Sequence, residues 1–491
     1  MAQSILCKTL LKYFALCLSL IGWVFFGCAA NLPKESEITQ TLPQSFQNTS
    51  LISVDTQSQA MPKATPTEQI KILFCNDSTL ENLFEIALSQ NLDLQIMNAR
   101  ILQAKAQLKS AWGELFPSVD GSLGANESHT RTNTSKVQKT QSYTSQMGVI
   151  LSWEVDLFGR LQHSKNARAS LYEKSLQDLE NAKITLLADI ASFYFTLLES
   201  SSNLSLTQEN IVHYQNALEW TRLKVENGLL DSTELFEKQD MLTNEQNTLE
   251  SLKSIFEENK NALLVLLDLP HLPFVIESKT PPKFTDQLHL DSMPAEVLLA
   301  RPDIKAALFS LYAQSYLKAN AKASLFPILS ISANLNEILD SNTQASGNLA
   351  WQFASSLTAP ILNRTQLTQN YFLQDAILKE SYATLQKSLK NAFAEIENTS
   401  FNFKSTDLQL QNSQKRMENA QNYFEFSSNR YFVGLIDGLE HALNTASFNN
   451  SKKSLNSAKF ENLKALVLLY KAFGGDLNLA ASQQPDLMNK E

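Results

Sequence analysis

Apolar residues along this chain repeat with two different periods. Ile184, Leu187, Ala191, Tyr194 and Leu198 follow steps of three and four, and Leu186, Ile190, Phe193 and Leu197 make an adjacent stripe. That spacing predicts a helix. One stripe would suit a two-stranded coiled coil. Two stripes suit a helix with neighbours on both sides, as in a closed wall of helices. Met147, Val149 and Leu151 instead alternate with Gln146, Gly148 and Ser152. Period two with one apolar face predicts a strand.

The breakers set the lengths. Between 158 and 227 there is no proline and glycine occurs only at Gly159; 363–431 contains neither. Two helices of about 65 residues are predicted, each about 100 Å long at about 1.5 Å rise per residue. A shorter helix starts at Ser78, where "STLENLFEIALSQN" offers a Ser or Thr cap before a periodic apolar face.

The pattern then repeats. "AWGELFP" (111–117) matches "AKASLFP" (321–327) at an offset of 210, and "ENGLLDSTEL" (226–235) matches "FVGLIDGLEH" (432–441) at an offset of 206. "ALLVLLDLP" (262–270) resembles "ALVLLYKAFGG" (465–475). Three matches in the same order at nearly constant offset indicate a tandem duplication. Repeat 1 covers 78–267, with strands at about 117–128 and 143–153 and a tip hairpin near 228. Repeat 2 covers 294–473, with strands at about 327–338 and 348–358 and a tip hairpin near 434. A linker (268–293), an extended N-terminal tail (28–77) and a C-terminal tail (474–491) complete the chain. Polar turns are expected at 129–141 and 339–347. Pro117, Pro327 and Pro360 stand at strand ends, where proline is tolerated.

The fold class that follows is mainly α with a small β part: four strands per chain and very long helices. Strands of about ten residues match a tilted membrane strand. Four are too few to close a barrel, for which about eight is the practical minimum. Unpaired backbone cannot stand in lipid, so copies of the chain must share one barrel. Two copies supply eight strands and three supply twelve.

Composition narrows the function. The chain is 43% hydrophobic and 19% charged, with a net charge of −9. An acidic balance argues against nucleic acid as a partner. The six histidines show no metal-ligand spacing, and no P-loop, GxGxxG or GxSxG is present. No enzyme, cofactor or metal is expected. Trp153 and Trp351, at strand positions, are candidates for interfacial aromatics or for packing.

The first 27 residues read as a targeting signal: Lys8 and Lys12, then the apolar run "YFALCLSLIGWVFFG". Gly27-Cys28 resembles a lipoprotein cleavage site, with Cys28 as the lipidated first residue. Phe25 and Phe26 are bulkier than usual there, and an ordinary signal peptide or an uncleaved anchor is the alternative. Ala29 after the cysteine resembles lipoproteins sent to an outer membrane.

The sharpest local motif is Gly-Leu-[Leu/Ile]-Asp-x-x-Glu, at Gly228–Glu234 and Gly434–Glu440. The glycine can end one helix in the left-handed conformation. Asp231 or Asp437 can cap the next, with Glu234 or Glu440 completing a capping box. Leu229 and Leu435 would then form an exposed apolar knob at a tight turn.

"SWEVDLFGR" (152–160), "LLARPDIKAAL" (298–308), "ASLFPILSISA" (323–333) and "LVLLYKAFGG" (466–475) resemble the TolC-like outer-membrane factors, and their OprM/NodT lipoprotein branch in particular. The resemblance runs from about 78 to 475. It implies a homotrimer with a 12-stranded barrel in outer-membrane lipid on a long periplasmic α-barrel. It also implies a periplasmic adaptor (membrane-fusion) protein and an inner-membrane transporter as partners. Gly228, Leu229, Gly434 and Leu435 would meet the adaptor. Leu439 and Leu443, with Asp437 nearby, would line the periplasmic aperture; Leu443 stands where members of this branch often carry an acidic residue. The function implied is the outer-membrane channel of a tripartite efflux or export system. The alternative is a coiled-coil structural or adhesin-like surface lipoprotein.

Overall fold

The computed structural model describes residues 77–133, 137–274, 295–340 and 348–475, with positions 30, 32, 70–71, 73–74 and 276. Cys28, most of the N-terminal tail, most of the linker and the end of the C-terminal tail lie outside the described residues. The chain divides into two compact units.

The first unit contains the strands. They are β1 (Ser118–Asn133), β2 (Val137–Val155), β3 (Ile328–Asp340) and β4 (Asn348–Thr358). All neighbours are antiparallel, in the order β1-β2-β3-β4. The two hairpins, one per repeat, are joined by pairing of β2 with β3, in which Ser152 lies opposite Ser332. The sheet therefore fuses the duplicated halves.

The first hairpin is longer than expected. Residues 129–133 and 137–141, expected as a polar turn, are paired strand, with His129 opposite Gln141 and Asn133 opposite Val137. The sequence there is almost wholly polar, so hydropathy shows no alternation while backbone pairing continues.

Side chains alternate across the sheet. On one face, cross-strand rows run Val119–Leu151–Ala333–Phe353, Gly121–Val149–Leu335–Trp351 and Leu123–Met147–Glu337–Leu349. Apart from Glu337 these rows are apolar or small, yet exposed: Leu123 is 85% and Trp351 79% accessible. On the other face the rows read Ser118–Ser152–Ser332–Ala354, Asp120–Ile150–Asn334–Gln352 and Ser122–Gly148–Asn336–Ala350.

The strand-to-helix junction explains "SWEVDLFGR". Trp153 Nε1 donates to Leu115 O at 3.1 Å. Arg160 grips Glu154 with two nitrogens, Nη2 to Oε2 at 2.7 Å and Nε to Oε1 at 3.1 Å. Asp156 Oδ2 accepts from Gln162 N at 2.8 Å, serving a first-turn N–H that has no helical partner. Gly159 takes φ +76°. Phe158 stacks on Phe326, from the Leu-Phe-Pro motif of repeat 2, at 4.9 Å. These six motif residues fix the turn or tie the repeats together.

The second unit is helical. The helices of the chain are α1 (Ser78–Gln90), α2 (Leu92–Gly113), α3 (Arg160–Glu226), α4 (Ser232–Leu267), α5 (Pro302–Ala323), α6 (Arg364–Phe432) and α7 (Gly438–Ala472); α1, α4 and α7 lie wholly in the second unit, α3 and α6 begin in the first, and α2 and α5 lie mostly in the first. Asp77, rather than Ser78 or Thr79, caps α1: its extended backbone lets Oδ1 accept from Thr79 N at 3.0 Å and Leu80 N at 3.2 Å. The first stripe of α3, Ile184 to Leu198, is buried throughout. In the second stripe Phe193 is half-exposed, and Phe195 is the buried ring, edge-on to Phe74 at 5.2 Å. Burial on more than two sides of α3 blurs the stripe there.

The "RPDI" motif is a staple. Arg301, 6% exposed, donates to Asp303 and Glu395 at 2.8 Å each and to the Ala472 carbonyl at the end of α7. Burial lowers its proton affinity, but the two carboxylates outweigh this and the net shift is upward. Pro302 occupies the first position of α5, where a missing N–H costs nothing.

The α3–α7 contact changes character along its length. Leu197, Leu198, Leu463 and Leu466 are buried. Beyond them, polar pairs take over: Lys464–Glu199 at 3.2 Å, Asn456–Asn203 at 2.9 Å, Asn210–Asn450 at 2.9 Å and, from α4, Glu245–Lys453 at 2.7 Å.

Candidate functional site

Two places carry functional geometry: the two-faced sheet of the first unit, and the two helical tips of the second.

At the tips, α3 and α6 end in the same way. Gly228 and Gly434 take φ +70° and +74°. Leu229 N donates to Lys224 O and Leu435 N to Arg430 O, each at 2.8 Å, while Gly228 N reaches Val225 O at 2.9 Å and Gly434 N reaches Tyr431 O at 3.0 Å. This is the Schellman closure that glycine permits. The leucine after that glycine usually packs back on its own helix. Here Leu229 stays 71% and Leu435 68% exposed, while Ile436 is buried.

The aspartates cap the outgoing helices. Asp231 Oδ1 accepts from Thr233 N at 2.8 Å and Asp437 Oδ1 from Glu440 N at 2.9 Å. The expected capping boxes do not form among the described residues. Neither glutamate bonds back to the aspartate N–H; Glu234 lies 3.5 Å from Lys238 Nζ, an i,i+4 ion pair that holds its carboxylate away.

The two tips are not electrostatically equivalent. Hydrogen bonds from the backbone and side chain of Thr233 hold the Asp231 carboxyl below its ordinary value. Burial pushes the Asp437 carboxyl up, but an ion pair with Lys224 and the Glu440 N–H bring it below the usual range. Asp437 thus ties α3 of repeat 1 to α7 of repeat 2. Lys224 was not legible in advance, because no local spacing connects it to Asp437. Trp220 was missed for the same reason: a Cβ on Gly438 would stand 2.5 Å from its ring.

Leu439 and Leu443 lie one turn apart on α7 and are half-buried. Asp437 is engaged in its cap and ion pair, which leaves no free carboxylate at that position. Trp351 lies on the exposed apolar face of the sheet, whereas Trp153 is half-buried and hydrogen-bonded at the junction. Among the described residues no cluster of potential metal ligands occurs, and no helix is long and apolar enough to cross a membrane.

Comparison with known proteins agrees with this geometry. A family model described as outer membrane efflux protein matches residues 83–267 and 293–475, the two repeats. The solvent efflux pump outer membrane protein SrpC of Pseudomonas putida is 26% identical over 423 residues, 85% of this chain and 88% of the relative. The pyoverdine export outer membrane protein OpmQ of P. putida is 25% identical over 403 residues, 81% of this chain and 86% of the relative. Among solved structures, the Campylobacter jejuni CmeC outer membrane channel has a TM-score of 0.77 at 23% identity, covering 91% of this chain and 94% of that one. The open-state MtrE outer membrane channel of Neisseria gonorrhoeae has a TM-score of 0.76 at 22% identity, covering 91% of this chain and 99% of that one. These structures share the fold. With both repeats matched by one model over most of its length, the chain belongs to the outer membrane efflux protein family.

Proposed function

We propose that this chain is one subunit of an outer-membrane channel that gives solutes passive passage from periplasm to exterior within a tripartite efflux or export system. The observation that carries the reading is the sheet. Its exposed apolar face suits lipid, its opposite face suits water, and β1 and β4 each leave an outer edge unpaired among the described residues. Edges are not tolerated in hydrocarbon. Three copies pairing edge to edge give a closed barrel of twelve strands. A coiled-coil stalk or adhesin would account for the helices and leave such a sheet without a purpose.

The energy comes from an inner-membrane transporter, reached through a periplasmic adaptor. The exposed Leu229 and Leu435, held on rigid glycine-closed turns beside Gly228 and Gly434, are the adaptor's docking points. Leu439 and Leu443 line the periplasmic aperture. Asp437 acts there as a cap and helix tie. Cys28 carries the lipid that anchors the N-terminus in the outer membrane.

The detergent-purified protein should have the mass of three chains. Leu229→Asp with Leu435→Asp should abolish export and adaptor crosslinking while leaving that mass unchanged. A monomeric particle would sink the channel reading. Full export by the double variant would sink the docking role alone.

A further inference from the structure

The two repeats enter and leave the sheet alike. Phe158 stands two residues before Arg160, the first residue of α3, and Leu362 stands two before Arg364, the first of α6. Phe326 stands two residues before β3 and Phe116 two before β1, each followed by proline. Within the chain β2 pairs with β3, and at the helical end of that pair Phe158 stacks on Phe326 at 4.9 Å. The equivalent residues, Leu362 and Phe116, flank β4 and β1, whose outer edges are unpaired among the described residues. Both are exposed, Leu362 at 97%. Trp112, also exposed, has its ring 4.5 Å from that of Phe116. The helices of the first unit carry the same imbalance. There α5 is held by α3, with Asn320 Nδ2 donating to Arg160 O at 2.7 Å, and by α6, through Lys318 and Asp375. Its Leu311, Ala313 and Ala319 are buried. Its counterpart α2 meets α3 through Arg168 and Gln107 at 3.0 Å, and keeps Leu102 and Trp112 exposed.

We infer that Leu362 of one subunit seats on the Phe116–Trp112 pair of the next, as Phe158 seats on Phe326 within a chain. The inference rests on the channel reading and names the side chains that lock its subunits together. Because β1 leads away from the helices and β4 leads back to them, β4 of one copy meets β1 of the next antiparallel with their helical ends together, as β2 meets β3. Knob and socket sit on opposite edges of the sheet, so the contact is head-to-tail and closes a ring. Repeat 2 carries Lys322 where repeat 1 carries Trp112. The socket between subunits is therefore more apolar than the one within the chain, and the added indole offsets the smaller size of leucine against phenylalanine. Lipid is the competing occupant of these rings, and the test separates the two.

Phe116→Cys and Leu362→Cys are placed together and singly in a Cys75→Ser chain, and treated in intact outer membranes with a short bis-methanethiosulfonate. On a non-reducing denaturing gel the pair should give covalent dimers and trimers; each single variant, like the Cys75→Ser chain, should give none. Leu362→Ala and Phe116→Ala should each lower the temperature at which the trimer dissociates. The double alanine variant should lose clearly less than the two single losses combined, because both delete one contact. This alanine series decides the matter alone if the paired cysteines hinder assembly. Trimers that give no crosslinked bands, crosslinks confined to single chains, or alanine losses that are absent or strictly additive overturn the clasp, assign those rings to lipid and leave the channel standing. A monomeric parent chain removes the channel reading itself.

Discussion

Individual residues in this chain are chosen by what lies opposite them. Gly148 shows the point. A Cβ there would stand 1.9 Å from Asn336 Oδ1 and 2.8 Å from the Leu335 carbonyl, and backbone cannot swing away. Gly121, in the neighbouring strand, would meet nothing within 4 Å. Gly148→Ala should therefore open the β2–β3 seam and cut the yield of assembled protein in the outer membrane several-fold. Gly121→Ala should leave that yield unchanged, as immunoblots of membrane fractions would reveal. The alternation of Met147, Val149 and Leu151 with Gln146, Gly148 and Ser152 announced the strand. It could not announce the seam, because the partner strand begins almost two hundred residues later.

At the scale of elements, the long helices hold together by two different means. Apolar residues lock α3 against α7 around Leu198 and Leu466, and a polar ladder follows from Glu199 to Asn210. Within it Glu245 and Lys453 are 11% and 17% exposed at the side chain, with a separation of 2.7 Å. A pair this buried penalises the loss of one partner more than the loss of both. Lys453→Met alone should destabilise by about 3 kcal/mol, seen as a lower melting temperature in detergent. Adding Glu245→Leu should recover most of that. If the double variant is worse than the single, the pair contributes stability of its own rather than cancelling a desolvation cost. The periodicity of Ile184 to Leu198 predicted the apolar part well. The stripe that named Phe193 missed Phe195, since a helix buried on several sides has no single apolar face for a period to report.

For the whole molecule the decisive property is the two-faced sheet. Leu123→Lys places a charge on the apolar face. Near the bilayer midplane such a change costs about 2–4 kcal/mol, and the level of heat-resistant oligomer on a gel should fall accordingly. Ser122→Lys, one residue away on the other face, should leave the oligomer level near that of the parent. Equal losses from both would mean that the faces are not divided between lipid and water. Among the described residues a single chain leaves the outer edges of β1 and β4 open, so in the proposed channel closure of the barrel is a property of the assembly.

The sequence by itself determined the local architecture. Period determines strand or helix, glycine and proline determine where each ends, and duplicated motifs reveal the tandem unit; all three are short-range properties of the chain. The tips were legible for the same reason, because Gly228 and Asp231 act on neighbours a few positions away. Tertiary structure alone decided the fusion of two hairpins into one sheet, the pairing of Lys224 with Asp437, the Arg301 staple and the extension of the strands over 129–133 and 137–141. Each depends on residues far apart in the chain, or on backbone pairing that continues where the sequence is almost wholly polar and hydropathy leaves no pattern to read.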